Sequence, residues 1–304
     1  MCTEKLFGIL DWYSIWIIIG VGLCLFVFDK LCNVRGITVK ANKFYYMLGI
    51  ASILLGFGGA LLVQSLYNYI DAVKEAAITG IEAKWEWGGL TFMGGMYSGV
   101  LVFVVGSLLF AKGEVRAQFG KICQIGLACI PTAHAFGRLG CFASGCCYGA
   151  EVKPDDPFAF LGFTFKTGHA IGELRYPTQI IESVFLMILA AVLIVLVIKD
   201  KRINQIVYFA AYGTFRFCLE FLRDDARGSI GANSLSPSQV LSIVSVVIAI
   251  IMLVLLLVSK TYPEAGKKIL HFFKLDVEMP QTVVEVPVEA AETPENNEGT
   301  DENK

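Results

Sequence analysis

The sequence predicts an all-α integral membrane protein with seven transmembrane helices, and three observations carry that prediction. Hydrophobic residues make up 55 % of the 304 and charged residues 17 %, whereas soluble domains hold about 45–50 % apolar and about 25 % charged residues. Mean hydropathy is +0.62. The apolar residues also fall in continuous runs, not in the alternating segments of roughly ten residues that a transmembrane β-barrel shows. The same totals exclude two classes. A formal net charge of −2 does not fit a nucleic-acid-binding surface, and 22 Phe with 11 Tyr do not fit a disordered chain.

A spanning helix needs about 20 mostly apolar residues. Seven runs approach that length, at about 12–28, 46–66, 89–111, 122–139, 178–198, 204–222 and 238–258. The first follows a flank, Met1–Asp11, without a basic n-region, and no small-residue cleavage site comes after it, so it reads as a retained span. The second leads into a short external arm at about 67–88, which carries Asp71, Glu75, Glu82 and Glu86. The third opens on a glycine cluster. Pro131, His134 and Arg138 interrupt the fourth, and Arg216 and Glu220 lie inside the sixth. Between the fourth and fifth runs, residues 146–177 are rich in Gly, Pro and Phe and should form a small external head.

Orientation follows from the basic residues. Segments 29–45, 112–121, 199–202 and 259–274 hold fourteen Lys and Arg against eight in the alternate set. The excess marks the cytoplasmic side, which puts the N-terminus outside and the C-terminus inside. Residues 1–274 form the membrane domain. Residues 275–304, with nine acids against one Lys, are expected to be a disordered cytoplasmic tail.

An ionisable side chain at membrane depth costs roughly 2.5–3.5 kcal/mol on insertion scales, so it marks function by default. Arg138 and Arg216 are the two basic residues within the spans and away from their flanks. Tyr212, Arg216, Glu220 and Arg223 share one helical face, as do His134 and Arg138. Arg216 and Glu220 could be an ion pair that locks two helices. Alternatively, two arginines facing one cavity form an anion site, because guanidinium grips phosphate in a planar fork. Arg138 has no acid on its own helix. Glycines at 88–95 and 137–145 permit close approach of a helix or a ligand.

Cys141, Cys146 and Cys147 cluster, yet three thiols, two of them adjacent, fall short of the four ligands of structural zinc. No metal and no cofactor are expected. Small-residue packing under the head is the main reading of this group, and an external disulfide is the alternative. No thiol of this chain is expected to act as an obligatory nucleophile.

The chain resembles the prolipoprotein diacylglyceryl transferase family over about 12–258. The resemblance rests on Trp12-Tyr13, Gly58-Gly59 with Tyr67-Asn68, and Gly88-Gly89 with Phe92, Gly94 and Gly95. It continues through Gly137-Arg138-Leu139-Gly140 with Phe142, then Arg175-Tyr176-Pro177-Thr178-Gln179 with Glu182. Tyr212-Gly213, Phe215-Arg216-Phe217, Glu220-Phe221, Arg223, Gln239 and Leu241-Ser242 complete it. The resemblance implies a multi-pass enzyme of the bacterial inner (plasma) membrane that takes phosphatidylglycerol as donor. The lipobox cysteine thiol of a prolipoprotein signal peptide attacks, and glycerol-1-phosphate leaves, as the first step of lipoprotein maturation. It further implies that Arg138 and Arg216 hold the phosphate. Tyr13, Tyr212, Glu182 and Glu220 would orient the arginines or the lipid, and Gly94, Gly95 and Gly140 would let the lipid approach.

This chain departs from the family in several places. Met93 stands where the family usually has histidine and Ala60 where it has arginine. Cys141, Ser144 and Cys146 stand in place of asparagines and an acid. Proton acceptance then falls to Glu220, Glu182 or His134, or local positive potential alone activates the thiol. Two other functions fit parts of the sequence: a paralogue that binds or transfers an anionic phospholipid to another acceptor, and a transporter or scaffold without chemistry. Paired intramembrane arginines without an inverted pair of broken helices weigh against the transporter.

Overall fold

The computed structural model describes residues 11–89, 92–166, 168, 170–201, 203–223 and 235–261, with the side chains of residues 92, 93, 237 and 259–261 outside the description. The tail expected at 275–304 and most of the basic segment before it lie outside the described residues.

Each apolar run has become a helix. Asp11 caps α1 (Trp12–Val34) by accepting from the Ser14 amide at 3.0 Å. Helix α2 (Val39–Thr79) starts at Thr38 and ends at Gly80, whose φ of 74° supplies the left-handed C-cap that a side chain would resist. Then follow α3 (Phe92–Phe110), a short α4 (Gly113–Ala117) and α5 (Phe119–Ala143). Beyond the head come α6 (Thr178–Ile198), α7 (Asn204–Glu220) and α8 (Pro237–Thr261). Four of these, in α1, α2, α6 and Ser238–Val258 of α8, are long and apolar enough to cross a membrane. The apolar stretch Gly94–Phe110 of α3 is shorter. Their own polar side chains dilute α5 and α7, among them His134, Arg138, Arg216 and Glu220.

Helix α1 packs on α5, α5 on α6, α6 on α7 and α7 on α8, while α2 pairs with α3. The principal apolar core sits toward one end, where Phe28, Leu31, Ile122, Ile125, Leu193 and Val197 are buried together. Buried Tyr45 donates its hydroxyl to the Val115 carbonyl at 3.1 Å. The connections at this end are tied to one another. Arg35 pairs with Asp200, and the Thr38 amide donates to Gln118 Oε1 at 3.0 Å. The three basic segments within the described residues therefore gather at one end of the bundle. Outward faces are apolar: Leu54, Leu101, Ile188 and Ile250 are all more than half exposed. Such a surface needs hydrocarbon around it, not water.

The protein is helical as expected, and the head adds one short antiparallel pair, β1 (Phe163–Thr164) with β2 (Leu174–Arg175). Bridges Glu151 to Arg175 and Gly149 to Arg223 extend this pairing. A compact segment outside the helices must satisfy its backbone groups across strands. The expected arm at 67–88 begins as a continuation of α2. Nothing between Tyr67 and Thr79 breaks a helix, so α2 runs on for 41 residues. That is roughly 60 Å, about twice the hydrocarbon thickness, and only 80–89 leave the helix. Asn68 Nδ2 donates to the Gly88 carbonyl at 3.2 Å and folds that strap back on α2. Tyr69, Trp85 and Trp87 stack beside it, at ring separations of 5.5 and 5.6 Å.

The head is clamped where Gly149 threads between α6 and the end of α7. A Cβ there would come within 2.5 Å of the Leu222 carbonyl oxygen, 2.8 Å of Tyr176 Cβ and 2.9 Å of Thr178 Cγ2. Backbone cannot swing aside as a flexible side chain can. Gly149→Ala is therefore expected to destabilise the protein by about 1–3 kcal/mol, read as a lower Tm in detergent. An unchanged Tm would mean that the clamp is not rigid.

Candidate active site

The second end of the bundle holds a buried polar cluster. Arg138 lies five residues before the end of α5, Glu182 four residues into α6 and Arg216 four before the end of α7. At 1.5 Å per residue these groups sit roughly 6–8 Å inside the helix ends.

Glu182 is the hub, with its side chain wholly buried. Arg138 approaches it with two nitrogens, Nε at 2.9 Å from Oε2 and Nη2 at 3.2 Å from Oε1. The Tyr212 hydroxyl donates to Oε1 at 3.0 Å. His134 Nε2 stands 3.8 Å from the same oxygen, and its ring meets Tyr212 edge-on at 5.5 Å. A buried charge survives only when partners match it, and this one has partners on α5 and α7. The acid that Arg138 lacks on its own helix comes from α6.

Arg216 anchors a second ion pair. Its Nη2 lies 2.8 Å from Glu220 Oε2 and donates to Ser238 Oγ at 3.0 Å. Glu220 also accepts from the Ser236 hydroxyl at 2.6 Å. Ser236 and Gln239 form a reciprocal cap on α8: the Ser236 amide donates to Gln239 Oε1 at 3.0 Å, and the Gln239 amide to Ser236 Oγ at 3.2 Å. Among the described residues, Arg216 Nη1 is buried and has no hydrogen-bond partner. A guanidinium nitrogen left without an acceptor beside a second arginine is prepared for an anion. Arg138 and Arg216 both lie within electrostatic reach of Glu182 and Tyr212, so they serve one cluster.

The remaining candidates divide. Tyr13 is brought to α5 because Gly140 lets it close: a Cβ at Gly140 would be 3.1 Å from Tyr13 Cδ2. Gly94 and Gly95 belong to a different contact. A Cβ on Gly95 would meet Ala60 Cβ at 3.2 Å and the Gly56 carbonyl at 3.3 Å, and the Gly94 carbonyl accepts from Ser98 at 2.6 Å. Their neighbours are on α2, so close helix packing accounts for them, and the structure does not bring them to the arginines. Ala60 is buried in that same contact, and the Met93 side chain lies outside the described residues.

Ser236 and Ser238 did not stand out in the sequence. The Ser-Pro-Ser-Gln run carried a usable signal, since it is a helix start with a capping serine and proline at the first position.

Beyond α5 the chain turns through Gly145, with φ of 60°, and Cys147, with φ of 62°. The sulfurs of Cys141, Cys146 and Cys147 all lie within 4.8 Å of one another. Hydrogen bonds from the Cys141 and Cys147 side chains, followed by burial, hold the Cys146 thiol above its ordinary range. The loop is fixed by α6, whose Gln179 Nε2 donates to the Cys146 carbonyl at 2.5 Å and whose Thr178 hydroxyl donates to that of Cys147 at 3.0 Å.

Comparison with known proteins places this geometry in context. The family described as prolipoprotein diacylglyceryl transferase matches residues 5–255. A phosphatidylglycerol–prolipoprotein diacylglyceryl transferase 2 from Clostridium perfringens is 38 % identical over 243 residues, covering 79 % of this chain and 88 % of the relative. A relative from Clostridium tetani, the phosphatidylglycerol–prolipoprotein diacylglyceryl transferase, is 27 % identical over 249 residues, or 81 % of this chain and 93 % of its own. The protein of the same name from an Escherichia coli O1:K1 strain is 25 % identical over 266 residues, 81 % of this chain and 88 % of its own.

Removing one partner of a buried pair strands the other charge. Glu182→Ala is expected to cost about 3–5 kcal/mol of stability. Tyr212→Phe, which removes one hydrogen bond to a charged group, should cost about 1.5–3 kcal/mol. Thermal unfolding in detergent orders the two, and a Glu182→Ala protein as stable as Tyr212→Phe would show that Glu182 is not the hub.

Proposed function

The chain belongs to the prolipoprotein diacylglyceryl transferase family, and from that premise we propose how this chain carries out the family's reaction. It takes the diacylglyceryl group from phosphatidylglycerol and transfers it to a prolipoprotein, at the thiol of the lipobox cysteine. Sulfur attacks the glyceryl carbon bonded to the phosphate ester, a C–S bond forms, and the C–O bond breaks. Glycerol-1-phosphate leaves with the electron pair.

The observation that carries the reading is the pair of arginines, Arg138 and Arg216, each braced by its own carboxylate. Charge builds on the departing phosphate, and a preorganised donor in a dry site contributes about 3–4 kcal/mol to such a transition state. Glu182 uses Nε and Nη2 of Arg138 to fix its plane. Arg216 keeps Nη1 without a partner among the described residues. Held in this way, the guanidinium groups need not reorganise when the phosphate arrives. Glu220, the last residue of α7, takes the thiol proton. Tyr212 holds Glu182, and Tyr13 closes the α1 side. Gly94 and Gly95 let α3 approach α2 and so shape the lipid side of the bundle. A scaffold without chemistry gives no reason for such a fork beside an acid, and transfer of an anionic phospholipid to another acceptor would use the same fork and differ in the acceptor alone.

The membrane arrangement is part of the same reading. Seven helices span the bacterial cell membrane, with the N-terminus and the arginine end outside. The end where Arg35, Thr38, Gln118 and Asp200 meet faces the cytoplasm, and the acidic tail follows α8 into it. The basic residues concentrated at that end support this sense. A reporter fused after Lys274 is expected to behave as cytoplasmic, and a periplasmic signal would invert the arrangement. Removal of residues after about 276 should leave transfer intact.

The mechanism is tested on a strain depleted of its own transferase, by growth and by the mass of a lipoprotein's N-terminal cysteine. The parent chain should restore the diacylglyceryl increment. Arg138→Lys and Arg216→Lys keep charge but lose the planar fork, and should lose most activity while inserting normally. The alanine variants should be inactive, whereas changes at Arg223, beyond the end of α7, are tolerated better. Arg138→Ala and Arg216→Ala proteins that insert and transfer lipid like the parent would make these arginines structural ion-pair members.

A further inference from the structure

We propose that Cys141, Cys146 and Cys147 form a three-thiolate zinc site whose fourth position is open to a thiol ligand. The sequence showed three cysteines spaced too irregularly for a structural zinc motif, and the fold is what makes them converge. Helix α5 presents Cys141 on its last turn, and the chain then reverses through two left-handed residues, Gly145 and Cys147. A non-glycine residue in that region resists the conformation, so the loop has to be held. The Cys146 amide donates to the Cys141 carbonyl at 3.1 Å, and Gln179 and Thr178 clamp the carbonyls of Cys146 and Cys147. Gly168 closes the loop from the head, where a Cβ would lie 2.0 Å from the Gly145 oxygen.

The spacing suits a soft divalent cation. Zn–S bonds of about 2.3 Å in tetrahedral geometry place sulfurs about 3.8 Å apart. The three sulfurs already lie within 4.8 Å of one another, so small side-chain rotations complete the site. All three cysteines are partly exposed, which gives a cation access. Thiolate ligands select zinc or copper(I) over magnesium and calcium. Charge favours zinc between the first two: three thiolates around Zn²⁺ carry a net −1, around Cu⁺ a net −2. Arg138 stands within electrostatic reach of Cys141 and Cys147 and offsets the smaller excess. Phe142, Tyr148, Phe163 and Phe165 pack against one another around the loop, with ring separations of 5.1 to 5.7 Å.

Three protein ligands and one vacant position is the pattern of zinc that acts on a bound molecule, not of zinc that only holds a fold. Gln179 and Glu182 lie three residues apart on α6, so one face of one helix fixes both the thiol loop and Arg138. The ligand for the vacant position is the acceptor's cysteine thiol, an assignment that rests on the transferase reading above. As the S–Zn bond forms, the S–H bond breaks and the proton passes to solvent, which reaches the partly exposed cysteines. The thiolate is then held beside the phosphate fork.

The full-length protein is purified in detergent under reducing conditions, incubated with zinc chloride and dialysed. Mass spectrometry of the metal should find about one zinc per chain, and the thiols reactive toward Ellman's reagent should fall by three. Cys141→Ser, Cys146→Ser and Cys147→Ser should each reduce zinc retention at least tenfold, while Cys123→Ser retains it. Should the loop variants fail to fold, the thiol count on the parent alone decides. A disulfide within the cluster, retention of copper(I) but not zinc, or no retained metal overturns the site. Cobalt(II) in place of zinc gives d–d bands that report on the fourth ligand. A peptide with a lipobox cysteine should shift them and its Cys→Ser counterpart should not. Equal responses overturn the open thiol position and leave the zinc site standing. Neither measurement uses transferase turnover, so loss of the transferase reading in the complementation test would be seen separately.

Discussion

Everything at the functional end of this protein depends on one buried carboxylate. Glu182 has no contact with solvent, and its charge is tolerable only because Arg138 and Tyr212 reach it from helices on either side. The pairing therefore constrains α5, α6 and α7 at once, each at a defined rotation about its own axis. An apolar contact would permit helices to slide by a fraction of a turn. A fork of two nitrogens on one carboxylate does not. The Ser183 hydroxyl adds to the restraint by donating to the Ala135 carbonyl at 3.0 Å. Fixing the helices in this way also fixes the guanidinium groups, which is what a phosphate site requires of them.

The bundle divides its chemistry by height. At one end lie the apolar core, Tyr45 and the basic segments tied by Arg35 and Asp200. At the other lie the arginines, the thiols and the head. The two tasks conflict, because a well-packed apolar core leaves no space for a charged headgroup, while a polar cluster contributes little to packing. Separating them allows the first end to hold the helices together and the second to carry the strained loop at Cys147. Helices α2 and α3 stand somewhat apart, zipped through Gly56, Gly59, Gly95 and Gly99 against one another. Without a hydrophobic drive between helices in lipid, close backbone approach at small residues is the available means of association.

Family membership fixes the reaction, and the local chemistry gives this chain its own character. The element after Arg138 carries cysteines, and the strap before α3 is pinned by Asn68 and holds Trp85 edge-on to Trp87.

Composition and the length of the apolar runs sufficed for the helical membrane class, because burial in lipid is a property of each segment separately. The two arginines were legible for the same reason, since a charge inside an apolar run stands out without knowledge of any neighbour. Helical periodicity alone put Arg216 and Glu220 on one face. What no local pattern contained is the company each residue keeps across the fold. The partner of Arg138 lies 44 positions away on another helix, and the serines that complete the Arg216 site come from the start of α8, Ser238 lying 22 positions from Arg216. The glycines at 94 and 95 read equally well as a lipid approach or a helix contact, and their close approach to α2 appears only in the packed structure. The head hairpin, the continuation of α2 past the expected arm and the convergence of three unevenly spaced thiols were decided the same way. Each depends on contacts between segments distant in sequence, and those contacts exist only once the helices have been packed.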